Sequence, residues 1–161
     1  MQAATRLADL WIGRKGFDQI AVEQARAAVA HLRPIVVVTG GSRGIGAALA
    51  MRFAKAHHDV ALIARNAQGL NEAAQEISEK TNRHVVILIQ DITDADAPKI
   101  IESKLAAEGY YIDVLINNAG MGLSGSFDLM KADSLDALIS VNVHALTSFM
   151  RAVLPGLRAR R

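Results

Sequence analysis

No cysteine occurs among the 161 residues, which excludes disulfides, thiolate-held zinc and cysteine nucleophiles. The five histidines show no His-Glu-x-x-His spacing, so that helical zinc motif is absent as well. No uninterrupted apolar run approaches the roughly 18 residues of a membrane span. The opening MQAATRLADLWIGRKG has neither the long apolar core nor the small-residue cleavage site of a secretory leader. Charge of one sign is also scarce: 18 Lys and Arg against 16 Asp and Glu leave a formal net charge of +2. The dense basic cluster is Arg158, Arg160 and Arg161, which is not the stripe that marks a nucleic-acid surface. These absences predict a cytoplasmic protein with no nucleic-acid and no membrane partner. What remains is 51% hydrophobic and 21% charged, enough to bury one ordinary core.

From Pro34 onward, short β-branched runs alternate with longer helical patterns. Ile35-Val36-Val37-Val38-Thr39 is too continuously apolar for a half-exposed strand and reads as buried on both faces. Residues 44–57 carry a helix pattern, 59–64 (DVALIA) a second strand, 69–80 a polar-faced helix, and 84–90 (HVVILIQ) a third strand. Asp96 is a plausible N-cap, with Pro98 in the first turn of a helix running to about Ala107. Residues 112–117 (IDVLIN) form the fourth strand. After a glycine-rich loop, Asp133 or Ser134 caps a long helix ending near Leu154, before Pro155-Gly156. Strands separated by helices make βαβ units, hence a parallel sheet with right-handed crossovers. Residues 1–33 stand apart as an N-terminal helical extension, with an amphipathic helix over 18–32, from the domain at 34–161.

The segment Thr39-Gly40-Gly41-Ser42-Arg43-Gly44-Ile45-Gly46 falls at the turn from the first strand into its helix. Glycine there lets backbone amides approach a pyrophosphate, and the helix N-terminus offers unpaired N–H donors and a positive dipole. A tight turn alone needs one or two glycines, not four within seven residues. The spacing is G-x-x-x-G-x-G over Gly40, Gly44 and Gly46, not the G-x-G-x-x-G of the standard dinucleotide fingerprint.

That loop resembles the cofactor loop of the classical short-chain dehydrogenases/reductases. Further matches follow in order: Asp91 in QDIT after the third strand, Asn117-Asn118-Ala119-Gly120 ending the fourth, and Val141-Asn142-Val143 in the long helix. The glycine spacing favours the classical over the extended branch. The resemblance implies that Thr39, Gly40, Ser42, Arg43, Gly44, Ile45 and Gly46 border the coenzyme. It further implies that Asp91, beside Ile92, accepts from the adenine amino group. Asn118, Ala119 and Gly120 would line the adenosine ribose, while Asn117 would help pin the sheet. Independently, ligands of open parallel sheets bind at the C-terminal strand ends, where Gly40, Ala64, Asp91 and Asn117 fall.

An NAD site usually carries an acidic residue at the end of the second strand. This chain has Ala64-Arg65-Asn66 there. Arg65, helped by Arg43, is placed to pair with a 2′-phosphate, which favours NADP over NAD. One charge-assisted contact of ~1.5–3 kcal/mol corresponds to roughly 10- to 150-fold.

The family's chemistry uses a serine, a tyrosine and a lysine with an accessory Asn, the tyrosine and lysine spaced Tyr-x-x-x-Lys on one helix face. The two tyrosines here, Tyr110 and Tyr111, are followed four residues on by Val114 and Leu115. Asn142 is the one tetrad member that matches, and the resemblance implies a helix kink at that position. Ser124 and Ser126 read as flexible loop residues and His144 as a core or surface histidine, and no residue set suggests a bound metal. The expected fold is an incomplete, Rossmann-like doubly wound α/β sheet of about four strands in the order 3-2-1-4, with the fourth strand left as an edge. The implied function is hydride transfer between NADP(H) and a carbonyl or alcohol, with these residues inactive alone. The alternative is a non-catalytic nucleotide-binding module or pseudoenzyme remnant. The apolar helix 133–154 suggests a homo-oligomer contact or a complementary C-terminal half.

Overall fold

Val36 and Val38 point into one hydrophobic layer and Ile35 and Val37 into another, so the first strand is covered on both faces. That double burial is why its apolar run is continuous rather than alternating. The computed structural model describes residues 19–160, and Asp18, at the head of the expected N-terminal helix, lies outside them. In chain order the elements are α1 (Gln19–Val29), β1 (Arg33–Thr39), α2 (Gly44–Lys55), β2 (Val60–Ala64), α3 (Ala67–Thr81) and β3 (Val85–Ile89). Then come α4 (Ala97–Ala107), β4 (Tyr110–Ile116), a 3₁₀ turn (Phe127–Leu129), α5 (Ala132–Ile139), a π segment (Ser140–Ala145) and α6 (Leu146–Ala159).

The four strands form one parallel sheet in the order β3-β2-β1-β4, the order expected from the sequence. Helices α2 and α3 cover one face through Ala50, Leu70 and Ile77. Helices α4 and α6 cover the other through Ile101, Leu105, Phe149 and Val153. Helix α1 packs against α6. The β1–β4 register shifts at Ile35/Val36, so Asp113 is skipped and Val38 pairs Ile116. The ends of these two strands therefore finish level.

Local signals were less reliable than the strand pattern. Asp96 precedes α4 but its side chain makes no capping hydrogen bond, and its backbone is already helical. The long helix begins at Ala132 after Lys131, not at a cap on Asp133 or Ser134. It also runs through Pro155 to Ala159 instead of ending near Leu154. Proline forfeits one N–H in the ladder. Leu157 packed on the core and Arg160, whose Nη2 donates to the Ile112 carbonyl at 2.5 Å, hold the extra turn in place. By length and composition the continuous helix 132–158 is apolar enough to cross a membrane, although no uninterrupted apolar run foretold it. One flank packs on the sheet through Phe149 and Val153; Ile139, Val143, Met150 and Leu154 are exposed.

At the N-terminal end of the sheet Asp59 is buried within a polar cluster. It accepts from Arg83 Nη2 at 2.6 Å and from the Tyr110 hydroxyl at 3.1 Å, with Arg33 3.7 Å away. Arg33 also lies over the Tyr110 ring, and His84 stacks against that ring's plane. Burial pushes the Asp59 carboxyl up, but the Arg83 and Tyr110 hydrogen bonds, the Arg83 charge and the His84 N–H outweigh it and hold the pKa below its ordinary value. The stabilisation is therefore complete above about pH 3.9 and is lost as pH falls through the lower folded-state value. Asp59→Asn should lower stability at neutral pH by about 1–3 kcal/mol, and should blunt the acid limb of the stability profile. Urea unfolding from about pH 7 down to about pH 2.5 checks this; an unchanged acid limb in the variant would contradict it.

Candidate functional site

A cleft of ≈ 640 Å³ opens at the C-terminal ends of the strands. Its floor is set by a tie between β1 and β4. Thr39 Oγ1 accepts from the backbone N–H groups of Asn118 and Ala119, each at 3.0 Å, and donates to the Ile116 carbonyl at 3.4 Å. In return, Asn118 Nδ2 donates to the carbonyls of Thr39 at 3.0 Å and Gly40 at 3.2 Å. A buried threonine and one amide side chain thus bind two strand ends that are 79 residues apart in sequence.

The glycines make the tie possible. Gly40 has φ +67, and a Cβ on it would stand 2.9 Å from Ala119 Cα. At Gly46, in the first turn of α2, a Cβ would meet the Gly40 carbonyl oxygen at 2.3 Å and Asn118 Nδ2 at 2.5 Å. Thr39 and Gly46 therefore stand behind the cleft wall, whereas Gly40, Ser42, Arg43, Gly44 and Ile45 line it.

Helix α2 presents its N-terminus to this space. Its N-cap is Arg43, extended at φ −168, and no side chain caps the helix. A guanidinium has no acceptor with which to cap a helix. The first-turn amides are left facing outward together with the positive end of the helix dipole, an arrangement that suits an anion.

Arg65 and Asp91 enter from the ends of β2 and β3. Arg65 Nη1 donates to Asp91 Oδ2 at 3.4 Å, while Asp91 Oδ1 accepts from Thr93 N at 2.9 Å and Thr93 Oγ1 at 2.8 Å. The Thr93 backbone N–H is the largest influence on Asp91. It holds the pKa down against the upward push of burial, and the Thr93 hydroxyl and the Arg65 charge add to it. Ile92 lines the same end of the cleft, as do Ala119 and Gly120 on the other side.

Asn142 lies in the π segment, a widened turn within the long helix. Its Oδ1 accepts from Met121 N at 2.9 Å and its Nδ2 donates to Met121 O at 2.7 Å, which clamps the loop after Gly120 to the helix. Asn117 Nδ2 reaches the Leu146 carbonyl at 3.4 Å and ties β4 to the same helix. Neither tyrosine approaches the cleft: Tyr110 is buried against Asp59, and Tyr111 lies under Arg160. Ser126 donates to the Asp128 carboxylate in the outer loop, and His144 is exposed. No group of three or more metal-ligating side chains occurs among the described residues.

Several residues line or support the cleft beyond those that the motifs single out. Asn66 caps α3 by accepting from Gly69 N at 3.0 Å, a signal visible in its place just after a strand. Gln90 could have been found as the residue before Asp91. Met121 and Val141 come together only when the long helix folds over the loop. Thr93, the last residue of QDIT, fixes the Asp91 carboxylate with its backbone N–H and its hydroxyl.

Comparison with known proteins places this geometry. The short chain dehydrogenase family model matches residues 34–161. The 3-oxoacyl-acyl-carrier-protein reductase of Chlamydia trachomatis is 33% identical over 125 residues, covering 77% of this chain and 50% of that protein. The 3-dehydrosphinganine reductase TSC10B of Arabidopsis thaliana is 34% identical over 125 residues, covering 78% of this chain and 37% of that one. The chain thus spans half or less of these relatives' lengths. Among solved structures, a metagenomic short-chain oxidoreductase in complex with NADP superposes with a TM-score of 0.72 at 35% identity, covering 78% of this chain and 57% of that chain. L-sorbose reductase from Gluconobacter frateurii, complexed with NADPH and L-sorbose, gives 0.72 at 30% identity, covering 78% and 48%. With its glycine turn, Asn-Asn-Ala-Gly strand end and parallel sheet in family order, this chain belongs to the short-chain dehydrogenase/reductase family of oxidoreductases.

Proposed function

We propose that residues 34–161 hold a nicotinamide dinucleotide, NADP(H) in preference to NAD(H), for hydride exchange with a carbonyl or alcohol. The observation that carries the reading is the cleft itself. An uncapped helix N-terminus, an open position at Gly44, where a Cβ would meet nothing within 4 Å, and two arginines converge on one space. That donor set fits a ligand bearing several phosphates and is poorly suited to an apolar one. Structural relatives in complex with NADP and NADPH support the same assignment.

In this reading the α2 amides and Ser42 face the pyrophosphate. Asp91 and Ile92 border the adenine, and Asn118, Ala119 and Gly120 border its ribose. Arg65, with Arg43, meets a 2′-phosphate. When bound, the coenzyme supplies a nicotinamide carbon that gives or takes a hydride. The protein supplies orientation, a fixed positive field and, through the Asn142–Met121 clamp, a rigid loop beside the cleft. A proton donor for the substrate oxygen is a separate requirement. Both tyrosines lie away from the cleft, and the 161 residues contain no Tyr-x-x-x-Lys. These residues therefore bind coenzyme without turning over.

Calorimetry with NADPH and NADH tests the reading. The wild-type chain should bind NADPH more tightly, and Arg65→Ala should weaken NADPH by about tenfold or more while changing NADH little. Equal wild-type affinities would refute the NADP preference. Gly46→Ala should abolish binding of both, because its methyl group must push the Gly40 carbonyl away from Asn118 and cost about 1–3 kcal/mol of stability. Retained binding in that variant would contradict the role assigned to the tie. Carbonyl reduction, followed by loss of NADPH absorbance, should be absent for residues 1–161, and steady turnover would overturn the account of the missing acid.

A further inference from the structure

The ion pair across the adenine end of the cleft has a consequence for coenzyme choice. Arg65 and Asp91 extend from neighbouring parallel strands whose last register pair is Ala64 with Ile89. Thr93 holds one oxygen of the carboxylate with two hydrogen bonds, and the other oxygen faces the Arg65 guanidinium 3.4 Å away. Arg43, the other cleft cation, has no ion pair with a carboxylate among the described residues. The two arginines that line the cleft are therefore not equivalent: among the described residues one has a carboxylate counter-ion and the other does not.

We propose that Asp91 is a specificity-determining residue: it competes with the ribose 2′-substituent for Arg65 and so limits the cleft's preference for a 2′-phosphate over a 2′-hydroxyl. The inference rests on the coenzyme reading above. A phosphate monoester carries roughly −1.5 to −2 charges at neutral pH and needs the guanidinium, whereas a hydroxyl needs no cation. Drawing Arg65 onto the phosphate costs its pairing with Asp91, a cost that no 2′-hydroxyl ligand meets. Any contact of Asp91 with the adenine is common to both ligands and cancels in the ratio of their affinities. Both side chains are substantially exposed, 77% for Arg65 and 42% for Asp91, so the effect is modest.

Adenosine 2′,5′-bisphosphate and adenosine 5′-monophosphate are suitable probes, since they need only the adenine end of the cleft. Calorimetry on the full chain should give a bisphosphate-to-monophosphate affinity ratio that rises by about 1.5- to 5-fold in Asp91→Asn. Asp91→Ala should raise the ratio in the same direction even though both affinities fall with the lost adenine contact. In an Arg65→Ala background neither Asp91 substitution should move the ratio. Thermal melts of each variant establish that it is folded. A ratio unmoved by either Asp91 substitution overturns the proposal. So does an equal rise in the Arg65→Ala background, which assigns the effect to direct repulsion. A wild-type preference for the monophosphate refutes the NADP preference alone, because the Asp91 variants must still raise the ratio. Failure of both probes to bind the wild-type chain refutes the coenzyme reading, and this inference with it.

Discussion

Thr39 and Asn118 hold together the two strand ends on which the cleft depends. Without the Thr39 hydroxyl, the N–H groups of Asn118 and Ala119 lose their acceptor. Without the Asn118 amide, the carbonyls of Thr39 and Gly40 lose a donor. These groups are partly buried, so leaving one unpaired costs more than a surface hydrogen bond is worth. The tie draws the glycine turn against the Asn-Ala-Gly loop so closely that Gly46 has no room for a methyl group. The opening of α2 into the cleft follows from that approach, because the turn that reaches Asn118 also aims the helix N-terminus outward.

Long-range organisation was legible in the sequence because burial on both faces demands continuous β-branched runs, and those are hard to mimic by chance. The alternation of strands and helices implied a parallel sheet, and the order 3-2-1-4 came from the doubly wound dinucleotide-binding fold that the glycine turn points to. Single-residue signals fared worse. Asp96 does stand at the N-cap of α4 but makes no side-chain capping bond, and α5 starts at Ala132, ahead of Asp133 and Ser134. Pro155 marks an end in local terms, but Leu157 and Arg160 hold one more turn. In the cleft, the resemblance grouped Thr39 and Gly46 with the lining residues although both act from behind the wall. The Arg65–Asp91 pairing was hidden because it joins side chains 26 residues apart that meet only when β2 and β3 align.

The two ends of the sheet have different chemistry. At the N-terminal end the carboxylate of Asp59 is enclosed by Arg83, Tyr110 and Arg33, and it secures the strands without opening to a ligand. At the C-terminal end the polar groups are held by backbone and by one another and face an open space. Both tyrosines sit away from that space. Beyond the cleft, β4 is one of the two edges of the sheet and one flank of the helix running from Ala132 to Ala159 presents exposed apolar side chains.

Backbone amide exchange with and without NADPH tests the central claim most directly, because it reads the loop and its tie at once. The account predicts slowed exchange concentrated at the cleft-lining segments, residues 40–47, 65–66, 90–93 and 118–121, with the N-terminal strand ends around Asp59 unchanged. Protection spread evenly over the sheet, or none at the glycine turn, would contradict it.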